Sequence, residues 1–391
     1  MLAKRGDRST LRVGMVGGVV AVSACSGLVS FDDLSGQPKA GITDDAGADA
    51  SADADAIAEK DATAEADVEV DAGEQHLSDR GCHGIAIADD GTIVVTHFAL
   101  DPPKIPTLSK VTLDQGQWTL VSFDGTAGNQ APWVVVDGDV AYSTANDYLF
   151  ATNLKTGSTL PLVTLPGKRV WGVAVLKQWV YFTESPGPPA TGSLRRFPLG
   201  ANAGDSGVVE IVVSNLLQPQ ALSVLGNWVY LAVEGDESAG KNGSLRRVHV
   251  DTGKVEVIHG ESPEQKIYPW GLVAVDDNGK TRVYFTQDKT GGLYITDPGV
   301  VTKWNAVDKN DSTLLTNMRR AGGVAVGGGR AFWSMREATN QNKAGALFTD
   351  ALGATGKVGP WLDGSSTVGL AWHDGYLYRC AESGLHRIKV P

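Results

Sequence analysis

The chain has 391 residues, of which 42% are hydrophobic, and its formal charge at pH 7 is −11. That length is enough to bury a large core. The charge is uneven, because residues 44–71 contain eleven acids and one lysine whereas residues 72–391 carry only −3. A nearly neutral C-terminal region lacks the basic surface that nucleic-acid binding requires, so no nucleic-acid partner is expected.

Residues 1–24 have the pattern of an export signal. An apolar stretch, Val13–Val22, is too short to span a bilayer and follows four basic residues, Lys4, Arg5, Arg8 and Arg12. The sequence Val22-Ser-Ala-Cys25 resembles the bacterial lipobox, which implies cleavage before Cys25 and lipidation of that residue. Ser26 follows the cysteine, and the usual sorting rule for this family then favours the outer membrane. Ordinary secretion with cleavage near Ala24 is the alternative.

Residues 25–67 are predicted to be a disordered Ala/Asp-rich tether. The run Ala48–Ala56 alternates alanine with aspartate almost throughout. Aspartate at this density is a poor helix former, and like charges three to four residues apart repel. Such a segment cannot bury enough apolar surface to fold. Calcium binding is the alternative interpretation, although the run has no glycine-punctuated loop.

Residues 68–391 repeat one β-rich unit seven times. The second strand of each unit ends in a similar tripeptide, at residues 94–96, 141–143, 181–183, 230–232, 284–286, 332–334 and 378–380. A third strand follows, and its first apolar residues are Leu108, Leu149, Leu194, Leu245, Val301, Leu347 and Leu385. A fourth short run completes most units. Four strands in about 46 residues are typical of a propeller blade, so the sequence predicts an all-β, seven-bladed β-propeller of four-stranded blades.

The second strands carry a motif that supports this interpretation. Trp179–Thr183 and Arg282–Asp288 each follow a strand of the Gly-Val-Ala-Val kind. These segments resemble the YWTD and NHL families of propellers. The resemblance implies the fold and no particular ligand.

Two sets of residues lie where propellers usually bind their ligands. Residues that lead into the first strands and residues that follow the second strands meet at one end of each blade, around the central channel. We call them the leading and trailing positions. The predicted ligand-binding residues among them are His83, Trp133, Trp171 and Trp270 at leading positions and His97, Glu184 and Gln287 at trailing positions. Exposed tryptophans would stack on sugar rings or peptide side chains, whereas buried ones would separate adjacent blades.

Catalytic signatures are missing from the sequence. It contains no Gly-x-Ser-x-Gly, no His-Glu-x-x-His, no paired cysteine spacing and no Walker loop. No catalytic residue, cofactor or metal site is therefore predicted. Two propeller families nevertheless suggest an alternative: streptogramin lyases use face histidines with magnesium, and gluconolactonase-like propellers use a carboxylate and amides around a divalent metal. Glu184 with Asn146 or Gln287 would imitate the second arrangement.

Closure of the ring is expected to involve both ends of the repeat region. The seventh unit stops after its third strand, and Val68-Glu-Val70 is the predicted fourth strand of that blade. Closure would bring Cys82, just before the first blade, close to Cys380, at the end of a second strand. An exported protein folds in an oxidising compartment, so a disulfide between these two cysteines is predicted.

The sequence therefore favours a non-catalytic binding or scaffolding propeller, tethered to the outer membrane by lipid and facing the periplasm or the cell surface. Its expected ligand is a protein, a peptide or a glycan, and the chain is expected to be a monomer. The alternative is a metal-dependent lyase or lactonase that acts on exported small molecules at the channel mouth.

Overall fold

The computed structural model describes residues 74–97, 107–113, 116–122, 133–187, 190–199, 208–235, 243–260, 267–277, 279–287, 293–296, 305–306, 318–338, 347–351, 360–362, 367–381 and 383–390. These stretches form antiparallel β-strands, numbered β1 to β28 in chain order. Among them, no helix has the length and apolar character needed to cross a membrane. Residues 1–73, with Cys25, the predicted tether and Val68–Val70, lie outside the described part.

The described strands belong to seven four-stranded antiparallel sheets, which we call blades 1 to 7. The first strands, in blade order, are β2 (Ile85–Ile87), β6 (Val134–Asp137), β10 (Arg169–Leu176), β14 (Pro219–Leu225), β18 (Pro269–Asp277), β22 (Met318–Gly327) and β26 (Thr367–His373). The second strands are β3 (Ile93–His97), β7 (Val140–Ala145), β11 (Trp179–Ser185), β15 (Trp228–Val233), β19 (Lys280–Gln287), β23 (Arg330–Ala338) and β27 (Tyr376–Ala381). These strands contain the repeated tripeptides.

The outer half of each blade completes the sheet. The third strands are β4 (Thr107–Thr112), β8 (Tyr148–Asn153), β12 (Gly192–Pro198), β16 (Ser244–His249), β20 (Leu293–Thr296), β24 (Leu347–Ala351) and β28 (Gly384–Lys389). The fourth strands are β5 (Gly116–Ser122), β9 (Thr159–Thr164), β13 (Glu210–Leu216), β17 (Val255–Gly260), β21 (Asn305–Ala306), β25 (Pro360–Leu362) and, in blade 7, β1 (Gln75–Ser78). The sequence prediction is wrong in blade 5, where the third strand begins at Leu293 rather than at Val301.

The blades form a ring. Each first strand contacts the first strand of the next blade, from β2 and β6 through to β22 and β26, and β26 contacts β2. The arrangement is a β-propeller. Its core lies between facing sheets, where β-branched and aromatic residues of the second strands pack, including the buried rings of Phe182, Tyr230 and Phe285.

The N-terminal strand closes blade 7, as predicted, but the strand itself is a different one. β1 pairs with β28, with Gln75 opposite Arg387 and His76 opposite His386. The sequence-based choice of Val68–Val70 is therefore wrong. Side chains reinforce the pairing, because Arg387 Nε donates to Gln75 Oε1 over 2.7 Å.

Glu74, just before β1, adds an ion pair to this closure between its partly exposed carboxylate and the buried guanidinium of Arg379. Its carboxylate accepts from Arg379 Nε over 2.7 Å and lies 3.1 Å from His386 Nδ1. The hydrogen bond from His386 and the charge of Arg379 lower the pKa of Glu74 to about 2. Arg379 is buried, so this carboxylate compensates a charge that water cannot reach.

The predicted disulfide is confirmed. Cys82 and Cys380 are bonded to each other, their Cα atoms lie 5.0 Å apart, and 298 residues separate them along the chain. Both cysteines are buried. Backbone atoms support the same contact, because the Cys82 N–H donates to the Ala381 carbonyl over 3.0 Å. The bond therefore joins blade 1 to blade 7 within the core.

Candidate binding site

The leading and trailing positions lie at the same end of each blade, as expected from an antiparallel meander. In blade 3, Val170 stands opposite Glu184, and in blade 5, Pro269 stands opposite Gln287. The predicted ligand-binding residues therefore share one end of the ring. Their burial decides what they do there.

Of the two alternatives for the three predicted tryptophans, the structure shows the buried one, so they are not an exposed ligand-binding rim. Trp133, Trp171 and Trp270 expose only 1%, 4% and 7% of their surface. Trp133 and Trp171 belong to the largest hydrophobic cluster of the described residues. An indole gains more free energy by filling space between sheets than by facing water, so these side chains pack between blades and present no stacking surface.

The backbone of the leading positions links neighbouring blades. Thr183 Oγ1 donates to the Gln220 carbonyl over 2.9 Å, and Thr144 Oγ1 donates to the Trp171 carbonyl over the same distance. In blade 5, Thr286 Oγ1 likewise donates to the Gly322 carbonyl over 3.1 Å. We call these contacts hydroxyl joints. The threonine that recurs in several blades thus has a structural role that its sequence pattern alone did not reveal.

Glu184, the carboxylate on which the metal-site alternative depends, is 2% exposed and bound by protein groups. Its Oε1 accepts from Ser193 Oγ over 2.6 Å and lies 3.1 Å from Lys168 Nζ and 3.4 Å from Arg195 Nη2. Its Oε2 makes no hydrogen bond and is buried. Lys168 and Arg195 therefore already compensate the negative charge of Glu184 that would otherwise attract a metal ion.

The two predicted histidines are also buried, each with 1% exposure. His97 Nδ1 donates to the Gly81 carbonyl over 2.7 Å, which leaves Nε2 as the acceptor for the hydroxyl of Ser109 at 3.0 Å. Burial lowers the pKa of His97 to about 4, so the ring is neutral at pH 7. His97 thus holds the segment that precedes Cys82. Gln287 is buried as well, and nothing in its described surroundings marks it as a ligand-binding group.

The structure brings a different set of polar groups together at the opposite end of the ring. A groove of about 320 Å³ lies between the outer half of blade 3 and the β16–β17 turn of blade 4. Its polar lining residues are Tyr181, Arg196, Glu210, His249, Asp251 and Thr252. Sequence reasoning missed this site. Its only signal was the repeated Ser-Leu-Arg-Arg of the third strands, at residues 193–196 and 244–247.

No group of three or more His, Cys, Asp or Glu side chains in the described residues is placed to hold a metal ion. The described part of the ring thus has one end at which Glu184 and His97 are bonded to protein groups, and a polar groove at the other end.

No protein-family model matches the chain, and no curated protein matches it. Solved structures do resemble it. A puromycin hydrolase is similar over 76% of this chain and 50% of its own, with 14% identity and a TM-score of 0.55. A puromycin-hydrolysing peptidase from Mycobacterium tuberculosis is similar over 81% of this chain and 55% of its own, with 11% identity and a TM-score of 0.54.

A gluconolactonase from Xanthomonas campestris is similar over 81% of this chain and 89% of its own, with 13% identity and a TM-score of 0.47. The chain spans about half the length of the two puromycin-hydrolysing proteins. Similarity at such identities shows the propeller fold alone, because one fold hosts many functions.

Proposed function

We propose that the chain is a non-catalytic binding or scaffolding β-propeller, anchored in the outer membrane through lipid on Cys25 and exposed to the periplasm or the cell surface. The observation that carries the proposal is the state of Glu184 and His97. Both are buried and bonded to the protein's own groups, as described above. A general base or a metal ligand needs a free lone pair that faces its substrate. The one oxygen of Glu184 without a hydrogen bond, Oε2, is buried, so these surroundings favour binding over catalysis.

The proposal includes the domain organisation. Residues 1–24 are the signal peptide, 25–67 the tether and 68–391 a propeller of seven blades. The closed chain of contacts from β2 to β26 and back to β2 supports seven as the complete number. A ring closed in this way holds its loops rigidly, and a flexible tether gives it reach above the membrane.

The competing function is a metal-dependent lyase or lactonase at the channel mouth. Structural neighbours are described as a puromycin hydrolase and a gluconolactonase, so puromycin and lactones are used here only as test substrates. The mature chain with Cys25→Ser is incubated with lactones and puromycin, with and without Mg²⁺ or Ca²⁺. We expect no turnover above background, and Glu184→Gln should lower only the melting temperature.

Asp139→Asn is the matched control, because Asp139 forms an exposed ion pair with Lys155 in blade 2. Metal-dependent turnover that is lost in Glu184→Gln and retained in Asp139→Asn would establish the enzyme and overturn the proposal.

The anchor is tested separately by cell fractionation. Cys25→Ser should move the protein from the membrane fraction to the soluble fraction, because the acylated thiol is the proposed attachment. A variant that still sediments with membranes would contradict the lipid anchor and leave the binding function intact.

A further inference from the structure

The groove lies at the end of the ring opposite the leading and trailing positions. Its walls include the end of β12, the start of β13 and the turn between β16 and β17. Turns between first and second strands and between third and fourth strands share this end of a four-stranded meander. The groove is therefore independent of the buried residues that the sequence analysis selected.

The walls of the groove are held by two ion pairs. Arg196 Nε donates to Glu210 Oε2 over 2.8 Å, and the guanidinium lies over the Trp179 ring at 4.0 Å from its centroid. Lys177 Nζ, from blade 3, donates to both carboxylate oxygens of Asp251, in blade 4, over 2.7 and 2.8 Å. Two cations thus balance two carboxylates. The net charge of the walls is zero, so the groove offers no excess charge to an ion.

Two polar atoms at the groove remain available. Asp251 N–H donates to His249 Nδ1 over 3.3 Å, so the neutral imidazole carries its proton on Nε2 and has a donor to offer. Glu210 uses Oε2 for Arg196, and its Oε1 has no partner among the described residues. Tyr181 is fully buried and its hydroxyl interacts with Arg196, so it belongs to the wall, and the two atoms left for a ligand are Glu210 Oε1 and His249 Nε2.

The groove therefore offers a ligand both a hydrogen-bond donor and a hydrogen-bond acceptor, and its walls carry no net charge. The same groove is lined by the aliphatic side chains of Ile211, Val212 and Val250, and Ile211 is 58% exposed. A ligand that suits it combines groups that both donate and accept with an apolar face. Hydroxyl groups on a sugar ring do this, because each hydroxyl is donor and acceptor while the C–H face is apolar. The volume equals that of about ten waters at about 30 Å³ each.

We propose that this groove binds a short neutral saccharide. The inference rests on the proposed binding function and adds to it a place and a class of ligand. Hydroxyls of the sugar pair with Glu210 Oε1 and His249 Nε2, and its apolar face packs on Ile211. Glycans that carry carboxylates or sulfates fit less well, because Arg196 and Lys177 are already paired with Glu210 and Asp251 and the walls offer no unbalanced positive charge.

The test uses the mature chain with Cys25→Ser on an array of neutral, sialylated and sulfated oligosaccharides, followed by titration calorimetry on the neutral sugars that bind. Glu210→Ala should weaken binding at least tenfold. The matched control is Glu256→Ala, because Glu256 pairs with Arg247 in blade 4 as Glu210 pairs with Arg196 in blade 3, and it lies outside the groove. The affinity of the Glu256→Ala variant for the sugar should stay within twofold of that of the unmodified chain.

His249→Phe is the second variant, because it keeps a ring beside Trp228 but removes the Nε2 donor, and it tests the groove even if Glu210→Ala folds poorly. We expect it to weaken binding at an unchanged melting temperature. Binding of charged glycans only, or neutral-sugar binding that neither groove variant changes, would overturn the groove while keeping the binding function. No saccharide binding at millimolar concentration would also overturn it. Catalytic turnover in the assays above would overturn the function itself.

Discussion

Blades 3 and 4 are joined by a threonine hydroxyl, whereas blades 7 and 1 are joined by a disulfide at the same position of the blade. Thr183, in β11, lies beside Gly172 of the neighbouring strand β10. The Gly172 N–H donates to the Thr183 hydroxyl over 2.9 Å, and this hydroxyl donates to the Gln220 carbonyl over 2.9 Å. Cys380 likewise stands opposite Gly369 and bonds Cys82. A Cβ at either glycine would collide with the next blade's carbonyl, of Gln220 or of His83.

The two joints differ because blade 7 combines strands from both ends of the repeat. Blades 3 and 4 are each built from one continuous stretch of chain and follow one another from β13 to β14, so connectivity keeps them close and a hydrogen bond is enough. Blade 7 takes β1 from the start of the repeat and β26 to β28 from its end, and closing so long a loop costs conformational entropy. The covalent bond removes that cost by restricting the unfolded chain. The difference indicates that the closing joint carries most of the stability that can be removed locally.

Removal of β1 should have the largest effect on the closing joint. A chain that begins at residue 79 loses the fourth strand of blade 7 and leaves Arg379 without Glu74. Breaking a fully buried ion pair costs about 3–5 kcal/mol; Glu74 is partly exposed, so the loss of this pair costs less, and the exposed strand edge adds to it. We expect a total fall of about 3–5 kcal/mol in the free energy of unfolding, measured by urea denaturation. A chain that begins at residue 71 is the control and should match the longer chain.

Replacing the disulfide should have the next largest effect. Cys82→Ala with Cys380→Ala should lower the free energy of unfolding by about 2–5 kcal/mol, because the unfolded chain gains freedom. Cys82→Ala with Cys380→Thr rebuilds the chemistry of a hydroxyl joint and should recover about 1 kcal/mol of that loss. If threonine and alanine at position 380 give the same stability, the two kinds of joint are not equivalent in geometry.

The repeat positions were predictable because they depend on local patterns. Alternating apolar residues and turn glycines place the second strands, so these were located correctly in every described blade. The closing strand was not predictable in the same way. Val68–Val70 has the higher β-propensity, but Gln75–Ser78 is selected by side chains that meet only in the folded ring, such as Gln75 with Arg387. Local pattern and tertiary contact disagree there, and tertiary contact decides.

The candidate site was less predictable for a related reason. The sequence shows at which end of a blade a residue lies, and it does not show whether the neighbouring blade covers that residue. The sequence therefore places Trp133 and Glu184 at the correct end, but it leaves open whether Trp133 is buried and does not predict the burial of Glu184. The groove unites β12 and β13 with the β16–β17 turn, and the repeated Ser-Leu-Arg-Arg of the third strands does not show that these segments meet.

His97 makes the closing joint sensitive to pH. Its pKa is lowered by burial from 6.5 to about 4, so the unfolded chain binds a proton below about pH 6.5 that the folded chain binds only near pH 4. Stability is therefore highest above pH 6.5 and falls as the pH drops, by about 2 kcal/mol between pH 7 and pH 5. The closing joint should weaken with acid in this window, whereas the hydroxyl joints contain no group that titrates there.

The measurement is the free energy of unfolding at pH 7 and pH 5 for the unmodified chain and for His97→Gln. The glutamine cannot titrate, so its pH dependence should be smaller. A remainder is expected from His259, which is partly buried and whose pKa burial also lowers to about 4. The same slope in both proteins would contradict the assignment to His97.

The hydroxyl joint between blades 3 and 4 should show the smallest effect. Thr183→Val keeps the side-chain shape but removes the hydroxyl, which leaves the Gly172 N–H and the Gln220 carbonyl without this partner, and we expect a loss of about 1–3 kcal/mol. Thr96→Val is the matched control, because the Thr96 hydroxyl accepts the Gly84 N–H over 2.9 Å within blade 1. That change removes one hydrogen bond where Thr183→Val removes two. Thermal unfolding should therefore show the larger loss at position 183, and equal losses would mean that the bond between blades adds nothing to the joint.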